Sequence, residues 1–182
     1  MIRSTIACAG AAMVALLLAG APQAFATAQS YNIQANGVKE APGQGDPDGT
    51  ATGTLTLDNG SGGGTTGTAT FSITLSNIDI TTLTGHHIHV GAAGTNGSIV
   101  LDFGDPDTVR TGSLLSGTVT GLSATQITTI FANPTGFYYN IHNGAFPSGA
   151  VRDQLTVVPE PSIGGLVGVS LVGFCSRRRR GV

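Results

Sequence analysis

Apolar and polar residues alternate with a period of two through most of the chain between residues 27 and 158. In the segment "TATFSITLS", Phe71, Ile73 and Leu75 alternate with serine and threonine, so the three apolar side chains share one face of a strand. Clusters of glycine, asparagine and aspartate separate such runs, as turns do. The pattern predicts strands at residues 31–38, 50–58, 67–77, 86–91, 98–103, 113–120, 136–142 and 150–157.

One segment departs from this pattern and predicts a short helix. Ser123 and Gln126 have the spacing of a capping box. Ile127 and Ile130 share one helical face, and Pro134 ends the segment. Strands at this spacing with a single short helix predict an all-β domain, an antiparallel sandwich or flattened barrel.

The first 26 residues are typical of a signal peptide. Arg3 precedes an uncharged stretch at 6–18, and residues 24–26 form a small-x-small cleavage site. This stretch is shorter than the ~20 apolar residues of a membrane span, which argues against a permanent membrane helix. We expect a signal helix at residues 1–26, removed by signal peptidase after Ala26.

The other end of the chain has a stop-transfer layout. Pro159, Glu160 and Pro161 interrupt any preceding strand, and residues 163–174 form an apolar segment that predicts a membrane helix. Four arginines follow, and this block of charge resists crossing a bilayer: Arg177, Arg178, Arg179 and Arg180. The sequence therefore predicts insertion into the inner membrane.

These three parts, in this order over residues 158–182, resemble the PEP-CTERM sorting tail of Gram-negative bacteria. The resemblance implies recognition and cleavage near the Pro-Glu-Pro tripeptide by exosortase, a membrane-embedded cysteine peptidase. It also implies release to the cell surface or extracellular matrix. A single-pass anchor that is never cut is the alternative.

Composition narrows the function of the segment between these ends, predicted as one domain at residues 27–157. Between residues 27 and 158 there are three basic and nine acidic residues, a net charge of −6, which disfavours binding to nucleic acid or anionic lipid. Cys8 and Cys175 both lie outside this segment. The domain is therefore predicted to fold without disulfides and to have no thiol nucleophile or zinc-thiolate site.

Three of the four histidines lie in "GHHIHVG", residues 85–91. Successive strand residues point to opposite faces, so His87 and His89 share one face while Ile88 and Val90 share the apolar one. In "GFYYNIHNG", residues 136–144, the same alternation places His142 and Asn140 opposite the apolar residues. If the two strands are neighbours, His87, His89 and His142 converge on the side away from the core.

Two segments resemble the signatures of the chordin-type CHRD domain. One is "HIHVGAAGTNGSIVLDF" (87–103), and the other is "FYYNIHNGAFPSGAVRDQL" (137–155). The second matches at Tyr139, Asn140, His142, Pro147, Gly149, Arg152, Gln154 and Leu155. The resemblance covers about residues 31–157 and departs from the family at Ala150, usually glutamate, and Asp153, usually glycine. It implies an immunoglobulin-like β-sandwich of exported proteins and implies no enzyme activity.

A His-x-His pair with a third imidazole is a workable ligand set for copper or zinc. The predicted ligands are His87, His89 and His142, with His86, Asn140 or Arg152 in support. The arrangement is similar to the strand-borne pair of copper-zinc superoxide dismutase, but a domain with four histidines and no cysteine does not complete that two-metal site. The alternative is that these imidazoles hydrogen-bond to loop backbone and stabilise the turn at 91–97.

Other patterns indicate structural roles. The aspartates at 46–48 and 102–107 are typical of turns, and no acid–base pair or G-x-S-x-G motif predicts a hydrolase. Arg152 is predicted to pair with Asp153. The chain is thus predicted to be a surface-displayed or matrix-associated binding or structural module without enzyme activity, with an extracellular polysaccharide or protein as partner. The alternative is a small copper- or zinc-binding protein, with or without redox activity.

Overall fold

The computed structural model describes residues 27–60 and 64–159. The elements are β1 (Ala28–Asn36), β2 (Thr50–Asp58), β3 (Thr66–Ser76), β4 (Leu83–Val90), β5 (Ile99–Asp102), β6 (Arg110–Thr111), β7 (Leu114–Ser123), α1 (Ala124–Ala132), β8 (Phe137–Asn143) and β9 (Val151–Gln154). All eight predicted strands and the helix are present. The two-residue strand β6 was not predicted, because two residues carry no readable alternation.

The predicted signal helix and the predicted membrane helix, with the residues from Glu160 onward, lie outside the described residues. Within residues 27–60 and 64–159, no helix has the length and apolar character needed to cross a membrane.

The nine strands form one antiparallel sheet in the order β5-β4-β8-β9-β1-β2-β3-β7-β6. The sheet is curled into a half-barrel, so strands far apart in this order face each other. Phe71 of β3 lies against His86 of β4, with ring centroids 4.9 Å apart, although four strands separate β3 from β4 within the sheet. The prediction of an antiparallel β fold with one short helix is confirmed.

The core lies inside the curl and follows the period-two pattern. Phe71, Ile73 and Leu75 are buried, as their alternation predicted. Helix α1 adds Ile127 and Ile130, both fully buried, to the same cluster. The helix begins where predicted, because the Gln126 backbone N–H donates to the Ser123 hydroxyl at 3.3 Å.

Strands β9 and β1 pair at one position, Asn36 with Arg152, and the chain beyond β9 continues alongside β1 through a bridge between Tyr31 and Val157. Asp153 supplies the missing acceptor there: it accepts from the Gln34 backbone N–H at 2.7 Å and from the Lys39 ammonium at 2.6 Å. The predicted Arg152–Asp153 ion pair is wrong. Neighbouring strand residues point to opposite faces, so these two side chains are directed apart.

Candidate metal centre

Strand β4 lies between β5 and β8 and positions its histidines by alternation. His86 and Ile88 are fully buried in the core, whereas His87 and His89 lie on the opposite face. Val90, predicted to share the core face, is 43% exposed because β4 ends there.

The pairing of β4 with β8 brings the third histidine beside the other two. His142 pairs with Gly85, which has no side chain, and the imidazole of His87 occupies the space above that glycine. A Cβ atom on Gly85 would lie 2.5 Å from Cε1 of His87. The glycine therefore permits the His87 and His142 ring centroids to approach to 5.0 Å.

His87, His89 and His142 form a cluster with the spacing of a metal site. One ligand atom from each lies within 4.8 Å of the others. Nε2 of His89 and Nε2 of His142 are 3.4 Å apart.

Backbone carbonyls determine which nitrogen of two of these rings carries the proton. Nδ1 of His89 lies 3.1 Å from the Gly97 carbonyl oxygen, and Nδ1 of His142 lies 3.1 Å from the Pro147 carbonyl oxygen. A carbonyl only accepts, so each Nδ1 must donate a proton. In the neutral rings both Nε2 atoms are therefore unprotonated, and their lone pairs face each other across 3.4 Å.

The third ring has a different pair of neighbours. Nε2 of His87 lies 3.5 Å from the Asp102 carboxylate on β5. Its Nδ1 is buried and has no hydrogen-bond partner within the described part of the chain. His87 thus also has a ring nitrogen that nothing satisfies.

Burial keeps the three rings neutral. It lowers the pKa of His142 to about 4 and lowers the pKa of His87, where Asp102 opposes the shift. Burial also lowers the pKa of His89, against the opposing hydrogen bond to Gly97. Neutral imidazole is the form that coordinates a metal.

This face of the sheet, although away from the core, is a second, polar interior. Tyr138, Asn140 and Arg152 are all at most 3% exposed. The Tyr138 ring stacks on His89 with 10° between the planes, and the guanidinium of Arg152 lies 3.4 Å from the Tyr138 ring centroid.

Arg152 also connects this face to the loop that covers it. Its guanidinium donates to the Ala92 carbonyl at 2.9 Å, to the Asn96 side chain at 3.3 Å and to Gln154. The loop at 91–97 is held over the histidines by these bonds and by the His89–Gly97 bond.

His86, a predicted supporting residue, does not join the cluster, since it points into the core. Its Nδ1 lies 3.2 Å from the Tyr139 hydroxyl, and its ring contacts Phe71 and Phe103. Burial lowers its pKa to about 4. Its Nε2 has no partner among the residues that the structure describes.

Asn140, another predicted supporting residue, contacts a carboxylate that the sequence did not reveal. Its side-chain amide donates to Glu40, whose oxygens lie beside Gly149. Burial raises the pKa of Glu40 to about 7 against the opposing effects of Asn140 and Arg152. No local pattern links residues 100 positions apart, so only the fold identifies this pair.

An antiparallel β domain with a polar histidine face, followed by a stop-transfer tail, defines an exported all-β module. The family model of the CHRD domain matches residues 31–155, so the chain belongs to the CHRD domain family. The PEP-CTERM protein-sorting motif matches residues 157–180. Comparison with curated proteins and with solved structures gave no significant match.

The sorting motif determines where the protein goes. It implies export, a membrane-anchored intermediate, processing by an exosortase-type system and a cell-surface or extracellular location in a Gram-negative bacterium. The resemblances to both families are confirmed, and so is this location.

Proposed function

We propose that this exported CHRD domain binds one transition-metal ion, copper or zinc, through His87, His89 and His142. The observation that carries the proposal is the pair of Nε2 lone pairs of His89 and His142, 3.4 Å apart with both Nδ1 protons already donated. Two lone pairs at this distance repel unless a cation lies between them. A proton in that position would put a charged ring in a buried site that also holds Arg152.

The separation also fits a metal. With metal–nitrogen bonds of about 2.0 Å, two atoms 3.4 Å apart subtend about 115°, between the tetrahedral and trigonal angles. Metal-bound histidines commonly donate their second N–H to a carbonyl or carboxylate, and His89 and His142 already do so. The two rings therefore have the orientation that coordination requires.

His87 completes the set after a small movement. Ligand atoms of one ion are at most about 4 Å apart, so the 4.8 Å limit of the cluster leaves less than about 1 Å to close. Because Gly85 presents no side chain, the His87 ring can shift over it.

Calorimetric titration of the full chain with Cu(II) and Zn(II) tests the proposal. The chain is purified in detergent, metal-free, through a tag without histidine, and one ion per chain is expected to bind at neutral pH. His142→Gln should abolish this event, and His86→Gln is the matched control because its ring lies on the opposite face. A wild-type chain that shows no near one-to-one event with Cu(II), with Zn(II) or, in the absence of oxygen, with Cu(I) would reject the metal site.

A second candidate role is structural, and a specific observation favours it. The bonds from His89 and His142 to the Gly97 and Pro147 carbonyls tie two loops to the sheet with or without a metal. In that role the domain serves as a binding or structural module of the surface or matrix. His89→Ala would then lower the stability of the metal-free chain by ~1 kcal/mol, and no metal would bind.

We also infer that the curled sheet is a variant of an immunoglobulin-like sandwich or flattened barrel. The support is the packing of β3 against β4 across the core and the single backbone pair that joins β1 to β9. An experimental structure in which β5 and β6 close into a continuous barrel would contradict a sandwich.

A further inference from the structure

We propose that the three-histidine site selects monovalent copper, Cu(I), over Cu(II) and Zn(II). This inference rests on the proposed metal site and adds the charge of the ion that it prefers. The observations that carry it are the charges placed around the three rings.

The ligand set itself carries no negative charge. Its members are three imidazoles, with no carboxylate or thiolate of the described residues in the cluster. The carboxylate of Asp102 lies 3.5 Å from His87, but its side chain is 63% exposed, so water screens its charge. A bound ion would therefore keep almost its full charge.

A buried positive charge stands close to the same rings. Arg152 is 1% exposed, and its guanidinium lies 3.4 Å from the Tyr138 ring that stacks on His89. The oxygens that accept from it belong to Gln154, Asn96 and Ala92, and all of them are neutral.

Glu40, in the connection between β1 and β2, is the acidic group that opposes Arg152. Its carboxylate accepts from Asn140, and burial raises its pKa to about 7. At neutral pH it therefore carries only part of a negative charge, and the positive charge of Arg152 is incompletely balanced.

Both electrostatic effects act against a divalent ion. The energy of desolvating an ion grows with the square of its charge, so burying a divalent ion costs about four times as much as burying a monovalent one. The repulsion between Arg152 and the bound ion is also twice as large for a divalent ion as for a monovalent one. Zn(II) also takes a fourth ligand, whereas imidazole binds copper and three neutral donors satisfy Cu(I).

Competition titrations of the full chain test this selectivity. A chromogenic Cu(I) chelator is used without oxygen, and chelator competition is used for Cu(II) and Zn(II). The dissociation constant for Cu(I) is expected to be at least ~100-fold below that for Zn(II). Wild-type chain that binds Zn(II) or Cu(II) at least as tightly as Cu(I) would overturn the proposal, whereas failure to bind any ion would reject the metal site itself.

Two charge variants of opposite sign test the cause. Arg152→Gln should shift the ratio of Cu(I) to Cu(II) affinity about tenfold toward Cu(II), and Arg152→Lys should restore the wild-type ratio. Asp102→Asn keeps the acceptor for the Gly104 N–H and should shift the ratio about threefold toward Cu(I). If Arg152→Gln does not fold, the affinity ratio of Asp102→Asn decides whether charge causes the selectivity. A ratio that stays constant in every folded variant would overturn the electrostatic origin.

Discussion

The two faces of strand β4 carry the same residue type in opposite environments. On the core face, His86 is fully buried among aromatic rings and leaves Nε2 without a partner within the described residues. On the other face, His87 and His89 meet His142 and a layer of buried polar groups. A histidine's role is thus decided by what the neighbouring strand places beside it: one isolated ring serves packing, and three convergent rings can share an ion.

The largest expected contrast between the faces is in metal binding. His89→Ala should weaken binding of copper more than ~100-fold, because two lone pairs no longer flank the ion. His86→Ala should leave the stoichiometry at one ion per chain, although it destabilises the core. Equal losses of affinity in both variants, measured by competition titration of folded chain, would remove the distinction between the two faces.

The second contrast is acid sensitivity on the core face. The pKa of His86 is about 4 when folded, below the ordinary value of 6.5, so the unfolded chain binds a proton first as pH falls. The free energy of unfolding that depends on neutral His86 is fully present above pH 6.5. It is lost as the pH falls from 6.5 to about 4. His86 should account for about 2 kcal/mol of the loss between about pH 7 and pH 5.

Chemical denaturation of the metal-free chain at both pH values measures this loss. His86→Phe, which keeps an aromatic ring against Phe71 and Phe103, should remove the His86 share of the pH dependence and leave that of His142. A variant with the same slope as wild type would show that His86 is not the group responsible.

The third contrast has the opposite sign and lies on the polar face. The pKa of Glu40 is raised from 4.5 to about 7, so its contribution is fully present below pH 4.5 and is lost as pH rises through about 7. Glu40→Gln keeps an acceptor for Asn140 and removes the charge. Because Glu40 is partly exposed, solvent screening makes the effect smaller than its full pKa shift implies. The variant should be more stable than wild type by about 1–2 kcal/mol at alkaline pH and nearly equal in stability below about pH 4.5.

Thermal denaturation at several pH values compares Glu40→Gln with wild type. Asp58→Asn is a suitable control, because Asp58 is a carboxylate at a turn that accepts from the Gly60 N–H. Equal stability of Glu40→Gln and wild type at alkaline pH would contradict the assignment.

The smallest expected effect concerns the glycine that leaves space for the His87 ring. Gly85→Ala places a methyl group where the His87 ring lies, so the ring must move. Metal affinity should fall about tenfold, since a ligand displaced by roughly an ångström loses part of its bond. Gly43→Ala is the matched control, because Gly43 has open space around it. Gly94 is unsuitable, because its positive φ would strain an alanine. Unchanged affinity in Gly85→Ala would mean that His87 is not a ligand.

Local patterns predicted the candidate site in part. Alternation correctly placed His87 and His89 together on the face away from the core, because the side of a strand depends only on its pleat. It did not predict that the histidine face is covered, since the loop at 91–97 and Arg152 are placed there by long-range bonds. Alternation likewise could not show that Asp153 pairs with Lys39, because the partner comes from a strand junction 114 residues away.

The sequence by itself determined eight of the nine described strands, the capped helix, the two faces of β4, the membership in the CHRD family and the sorting tail, because these depend on periodicity or short motifs. Tertiary structure alone decided that β8 lies beside β4, so that His142 meets His89 across 53 positions. It also decided which carbonyls accept from Nδ1 of His89 and of His142, and that Glu40 lies beside Asn140. The physical reason is that a pattern specifies the face of a strand, whereas the neighbour of that face is chosen by the packing of the whole sheet around its core.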